Sequence, residues 1–155
     1  MIFILYGASG SGKTLAGEYL KSLGVEELVS HTTRKRRPGE VHGKSYYFVD
    51  YLEFEKLKKV EQSVYAGEFY GVSEEEVMLK HQKNPVFTVL DSNGVRAFRE
   101  RFKEDTLIIE IKTTPSKMRE RMKNRGESGQ TIRRRMRYYL KERKNRKHFY
   151  PDYSI

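Results

Sequence analysis

The stretch that most narrows what this chain can become is Gly7-Ala8-Ser9-Gly10-Ser11-Gly12-Lys13-Thr14, directly behind the short apolar run IFILY at residues 2–6. The spacing is G-x4-G-K-[ST]. Glycines let backbone N–H groups turn inward around an anion where a Cβ would clash. A helix starting at the end of such a loop adds its positive terminus to the same spot. In this arrangement the lysine reaches β- and γ-phosphates and the threonine hydroxyl is a Mg²⁺ ligand. The loop alone points to a nucleoside triphosphate and leaves kinase, GTPase and ATPase open.

The flanks agree with that geometry. Ile2 to Tyr6 read as a buried, parallel-type strand. After the loop, Ala16, Tyr19, Leu20 and Leu23 recur at helical spacing, and Gly24 suits a helix stop. VFTVL at 86–90 and LIIEI at 107–111 are two more buried-strand runs, with Val95, Phe98 and Phe102 on one helical face between them. Thr114-Pro115 opens a further helix, with threonine as cap and proline at its first position. This alternation predicts an α/β fold: a three-layer parallel sheet with crossover helices.

The middle of the chain follows another rule. Residues 41–49 and 63–70 are aromatic-rich, contain glycine, and read as short antiparallel strands. Asp50 with Glu53, and Ser73 with Glu76, have the spacing of capping boxes for helices near 51–59 and 74–82. Residues 31–77 are therefore expected to form a small inserted mixed β/α lobe of a single domain covering 1–155, with its core in 1–30 and 84–155. Thr131 to Lys147 carries an apolar stripe of Ile132, Met136, Tyr139 and Leu140, preceded by a polar loop at 125–130. The final DYSI is expected to add a short strand.

Charge is concentrated rather than spread. The chain of 155 residues has a net charge of +10, and residues 116–147 alone hold 14 Lys and Arg against three acids. Such a segment can meet nucleic acid, the phosphates of a nucleotide, or only water. The absence of cysteine excludes disulfides, thiolate zinc sites and a cysteine nucleophile. No apolar run approaches the ~20 residues that span a bilayer, and the N-terminus lacks the features of a signal peptide. A cytoplasmic location is expected. His31, His42, His81 and His148 show no metal spacing and are expected at the surface.

Ser30 to Phe48 holds four successive cations, Arg34 to Arg37, then Pro-Gly-Glu and a Tyr-Tyr-Phe run. Arg34 and Arg37 lie three apart, so both can fork onto one phosphate. Glu40 can orient them and Tyr46 can complete the cradle. Lys35 and Arg36 suit a solvated loop.

The pattern S-x-T-T-R-x-x-R-x-G-E-V-x-G-x-x-Y resembles the nucleoside-monophosphate signature of guanylate kinases. The resemblance runs over nearly the whole chain: the glycine loop, the TTR segment, Glu61 nine residues before Tyr70-Gly71, the strand ending in Leu90-Asp91, and R-x-x-x-R-G from Arg121 to Gly126. It implies transfer of phosphate from ATP to GMP or dGMP with Mg²⁺, and a helical lid near 121–135. By resemblance, Gly7 to Thr14 would hold ATP. Arg34, Arg37, Tyr46 and Tyr70, with Glu40 and Gly71, would hold GMP, and Ser30 and Glu61 would read guanine. A carboxylate suits the N1–H and N2–H₂ donors of guanine, which adenine lacks there. Asp91, together with Thr14, would handle metal or the acceptor phosphate. Lys13, Arg34, Arg37, Arg125 and Arg135 would surround the transferring group.

Blander assignments stand beside these. Glu61 in the KKVEQ run also fits an exposed acid, Tyr70 an ordinary strand aromatic, and the lid arginines a solvated helix. Three departures from the family pattern bear on function: Asn93 stands where a second aspartate is usual, Val72 where a hydroxyl residue follows Tyr-Gly, and no helix follows the expected last strand. Asn93 and Val72 keep a kinase for another (d)NMP open, and the missing helix lowers the expected stability. A non-catalytic phosphoprotein-binding module of the same fold is a separate alternative, against which the intact glycine loop counts. The stripe and lid account for the basic segment without nucleic acid. Monomer and homodimer are both compatible with the sequence.

Overall fold

The computed structural model describes residues 1–65, 67–145 and 150–155. Its central sheet is parallel throughout, in the order β2 (Glu26–Glu27), β7 (Val86–Leu90), β1 (Ile2–Tyr6), β8 (Thr106–Glu110), β9 (Tyr153–Ser154). The apolar runs explain the middle three strands, because both of their faces are covered. On one face Ile2, Ile4, Val86 and Ile108 pack with Val95 and Phe98 of α4 (Ser92–Phe102). On the other, Leu5 and Phe87 meet Ala16 and Leu20 of α1 (Lys13–Ser22). A Cβ on Gly17 would come within 3.0 Å of the Phe87 ring, so that residue lets α1 lie close to the sheet. The expected α1 stripe is only half right, since Tyr19 and Leu23 are 65% and 61% exposed.

A second sheet has the order β4 (Tyr47–Phe48), β3 (His31–Thr32), β6 (Glu68–Ser73), β5 (Lys59–Tyr65). The stretch 63–70, expected as antiparallel strand, holds the end of β5 and the start of β6, which pair antiparallel with Gly67 at φ 84° just before β6. The expected antiparallel strand at 41–49 reduces to β4, which runs parallel to β3. A turn in which Val41 O accepts from Lys44 N and Ser45 N uses up the preceding residues.

Helix α2 (Tyr51–Lys56) has both halves of the Asp50–Glu53 capping box but stops earlier than expected, because Leu57 is already extended into β5. Helix α3 (Glu74–His81) has only the Ser73 half. The Glu76 carboxylate turns away to accept from Val29 N and Tyr47 Oη, at 2.8 and 3.2 Å. His31 and His81, expected at the surface, are half-buried. The first stacks on Tyr47 at 4.6 Å and the second is bonded to Asp105.

Helices α5 (Pro115–Asn124) and α6 (Gly129–Asn145) join through Met118, Met122 and Met136, with Ile132 and Tyr139 beside them. Leu140, expected in the same stripe, is 55% exposed: α6 turns Tyr138 and Tyr139 to a cleft and leaves Leu140 to solvent. Residues 146–147 of the expected helix, and His148, lie outside the described residues. The expected final strand is β9, stitched in by Asp152, which accepts from Ile108 N at 2.7 Å and Arg99 at 2.5 Å.

Candidate active site

The glycine loop links the C-terminal end of β1 to α1. At Gly7 (φ 155°) a Cβ would meet Ile111 O at 2.5 Å, so the loop presses on the end of β8 as no other residue could. Gly12 is the N-cap of α1 at φ 118° and gives no side-chain cap. By contrast α2, α3, α4 and α5 are each capped by a side chain, from Asp50, Ser73, Asp91 and Thr114. The α1 amides thus keep their capacity for an outside anion.

Lys13 folds back over this loop, its Nζ donating to Gly7 O at 2.7 Å and Ala8 O at 2.8 Å. Burial, with Arg125 and Arg135 nearby, pushes its ammonium down from 10.5 to about 8. Three cations converging on one loop mark a place where negative charge is favoured. Arg125 caps the C-terminus of α5, and Arg135 of α6 pairs with Glu127 at 3.1 Å. Both line a cleft of about 380 Å³ that also takes in Thr14.

A larger cleft of about 610 Å³ opens on the other side of Lys13. Arg34 grips Glu40 through both arms of its guanidinium, at 3.0 and 2.7 Å. The Tyr70 hydroxyl lies beside it, and its guanidinium is 5.4 Å from the centre of the Tyr46 ring. The Arg37 side chain lines the same cleft, while its N–H donates to Glu40 at 2.8 Å. Lys35 and Arg36 are exposed, as their sequence context suggested.

Ser30, Glu61 and Asp91 share this cleft. Glu61 is not the exposed acid that KKVEQ also allowed: it is 8% exposed and accepts from Val72 N at 3.0 Å. Burial, then the charge of Asp91, pushes its carboxyl up to about 7. Asp91 ends β7 and caps α4, with Oδ1 accepting from Asn93 N and Gly94 N, both at 3.0 Å.

Most of the expected residues are therefore brought together around one continuous space, with Lys13 and Arg135 bordering both clefts. Two expectations are corrected. Thr14 and Asp91 do not face the same cleft, and Asp91 sits instead beside Glu61. Gly71 lies inside the β5–β6 ladder, where a Cβ would come within 2.7 Å of Glu61 O, so its role is close packing rather than contact with the cleft. Among the described residues no cluster of three or more His, Asp or Glu could hold a metal by itself.

Other residues had no role assigned from the sequence. Arg121 Nη1 bridges Gly10 O at 3.0 Å and Ser11 O at 2.9 Å, which ties the glycine loop to α5. Its signal was the four-residue spacing to Arg125, one helical turn. Ser63 and Tyr65 line the larger cleft with Glu61, and the period-two alternation of β5 would have found them. Tyr138 and Tyr139 line it from α6.

Comparison with known proteins agrees with this geometry. The family model for guanylate kinase matches residues 1–153. A guanylate kinase of Chromohalobacter salexigens is 35% identical over 144 residues, 88% of this chain and 67% of that one. One from Streptomyces kasugaensis is 35% identical over 141 residues, 86% of this chain and 69% of the relative. The crystal structure of guanylate kinase from Anaplasma phagocytophilum superposes with a TM-score of 0.76 at 29% identity, covering 100% of this chain and 75% of its own.

Proposed function

The chain belongs to the guanylate kinase family, and on that footing we propose that it transfers the terminal phosphoryl group of ATP to GMP or dGMP. One observation carries the reading: the Lys13, Arg125 and Arg135 group and the Arg34 fork border one continuous space, with a buried carboxylate, Glu61, in the acceptor half. ATP phosphates take the amides of the glycine loop and draw Lys13 off Gly7 and Ala8. Arg34 and Arg37, with Tyr46 and Tyr70, hold the acceptor phosphate, and Glu40 orients Arg34. Glu61 accepts from the guanine edge while Ser30 and Asp91 flank it.

The reaction needs no covalent intermediate. Transfer is in line, and the arginines offset charge spreading over the phosphoryl oxygens. Thr14, at the first turn of α1, fits a hydroxyl ligand for Mg²⁺, a hard cation that keeps water and phosphate oxygens for its other positions. When bound, the ion supplies charge neutralisation between the phosphates. The second sheet, near 31–77, serves as the acceptor lobe, and residues near 121–135 serve as the lid that excludes water. No helix among the described residues is long and apolar enough to cross a membrane, in keeping with a cytoplasmic enzyme.

A coupled assay of ADP release across GMP, dGMP, AMP, CMP and dTMP tests the proposal. GMP or dGMP should be preferred by at least about a hundredfold, from the guanine donors that Glu61 recognises. A stronger rate with a base lacking those donors overturns the Glu61 assignment.

A further inference from the structure

The acceptor cleft has a wall that the proposed chemistry has not used. Strand β5 alternates, so Glu61, Ser63 and Tyr65 point into the cleft from one side. Helix α6 crosses the other side and brings Tyr138 opposite them. The rings of Tyr65 and Tyr138 meet edge to face, 5.6 Å between centres and 87° between planes. The Tyr138 hydroxyl donates to Asp91 Oδ2 at 3.3 Å. The other oxygen, Oδ1, is the one engaged by the amides that start α4. Tyr138 stands three residues beyond Arg135, so both lie on neighbouring turns of one helix face.

We infer that Tyr138 is a positioning residue that couples the acceptor pocket to the lid helix, holding Asp91 beside Glu61 and thereby fixing where Arg135 stands over the phosphates. The inference rests on the kinase reading above and deepens it. Helix α6 belongs to the half of the site proposed to close over ATP, yet its hydroxyl contact is made in the acceptor half. An acceptor base entering between β5 and α6 touches the Tyr65–Tyr138 wall and Asp91 together. It thereby selects one position of α6, and with it one position of Arg135. Occupancy of one site is read at the other through a single rigid element, which is what a coupling free energy between sites requires.

The test is a calorimetric comparison of binding of a non-hydrolysable ATP analogue, alone and with saturating GMP. In the parent protein GMP should tighten analogue binding at least about fivefold, the lower end of ordinary coupling. Tyr138→Phe keeps the ring and removes the hydroxyl. The ratio should fall toward one, with the melting temperature nearly unchanged. Tyr138→Gln restores a side-chain donor and should recover part of the coupling; it also serves as the probe if the Phe variant does not fold. Unchanged coupling in Tyr138→Phe, loss in Gln but not in Phe, or no coupling in the parent protein overturns the inference. Failure of the kinase reading shows itself separately, as absence of GMP phosphorylation by the parent protein.

Discussion

Glu61 and Asp91 set two carboxylates against each other in the larger cleft, and burial, then the charge of Asp91, holds the Glu61 proton to about pH 7. Guanine offers donors, so it binds the ionised form of Glu61. The KM for GMP should therefore rise as pH falls below about 7, approaching tenfold per unit, while the rate at saturating GMP changes less. Glu61→Gln should remove that dependence and raise KM by about a hundredfold, the size of a lost charge-assisted pair. Steady-state kinetics between about pH 5.5 and 8 decide it; a KM flat across that window contradicts the assignment.

The same shift has a stability consequence of opposite sign. The folded chain binds the Glu61 proton more tightly than the unfolded chain does. The resulting stabilisation is complete below the unfolded value of 4.5 and is lost as pH rises through about 7. The loss at high pH is on the order of 3 kcal/mol at most. Glu61→Gln should thus resist urea better than the parent near pH 8, with most of the gain gone near pH 5. An equal gain at both pH values would point to a packing effect instead.

Lys13 lies on the other side of neutrality. Its ammonium is pushed down to about 8, and bound phosphates stabilise the charged form. ATP affinity should fall as pH rises through about 8, and binding there should take up part of a proton. Calorimetry in two buffers of different ionisation enthalpy measures that uptake directly. Lys13→Ala should lower turnover by at least about a thousandfold. Its melting temperature should hardly change, because among the described residues the lysine bonds only to carbonyls of its own loop.

Arg34 and Glu40 form a two-pronged pair within the acceptor lobe. Glu40→Ala should free the guanidinium and raise KM for GMP about tenfold through lost orientation. Arg34→Lys should not rescue an Arg34 deletion, since an ammonium cannot reproduce the fork. Kinetics of the two variants with GMP as the varied substrate check both statements.

Arg121 acts on the donor side. Replacing it with methionine cuts the bridge to Gly10 and Ser11. KM for ATP should rise about tenfold while KM for GMP stays near the parent value. An equal rise in both would show that Arg121 supports the fold rather than the loop.

The parts of this molecule that sequence exposes are those whose cause is local. The glycine loop is a matter of eight successive residues, and β1, β7 and β8 are continuous apolar runs because both faces are covered. The lobe is less transparent. Strands β3 and β4 have two residues each, too few to show a period, and the turn at 41–46 sets their relative direction. KKVEQ by itself leaves an exposed Glu61 open, because what buries it, the start of α4 at Gly94, lies more than thirty residues away in the chain. Ser73 and Glu76 carry the signature of a capping box, but Val29 and Tyr47 claim the carboxylate. Tyr138 shows in sequence only as one of two adjacent tyrosines, and its partner Asp91 is known only once α6 is placed over β5.

Asp91 has one oxygen in the scaffold and one in the cleft. A lineage drifting toward another base could replace this residue only by another side chain able to cap α4, such as asparagine or serine. Ser30, which lines the cleft without capping a helix, is the freer position, and mutational libraries aimed at respecifying the acceptor would do best to start there.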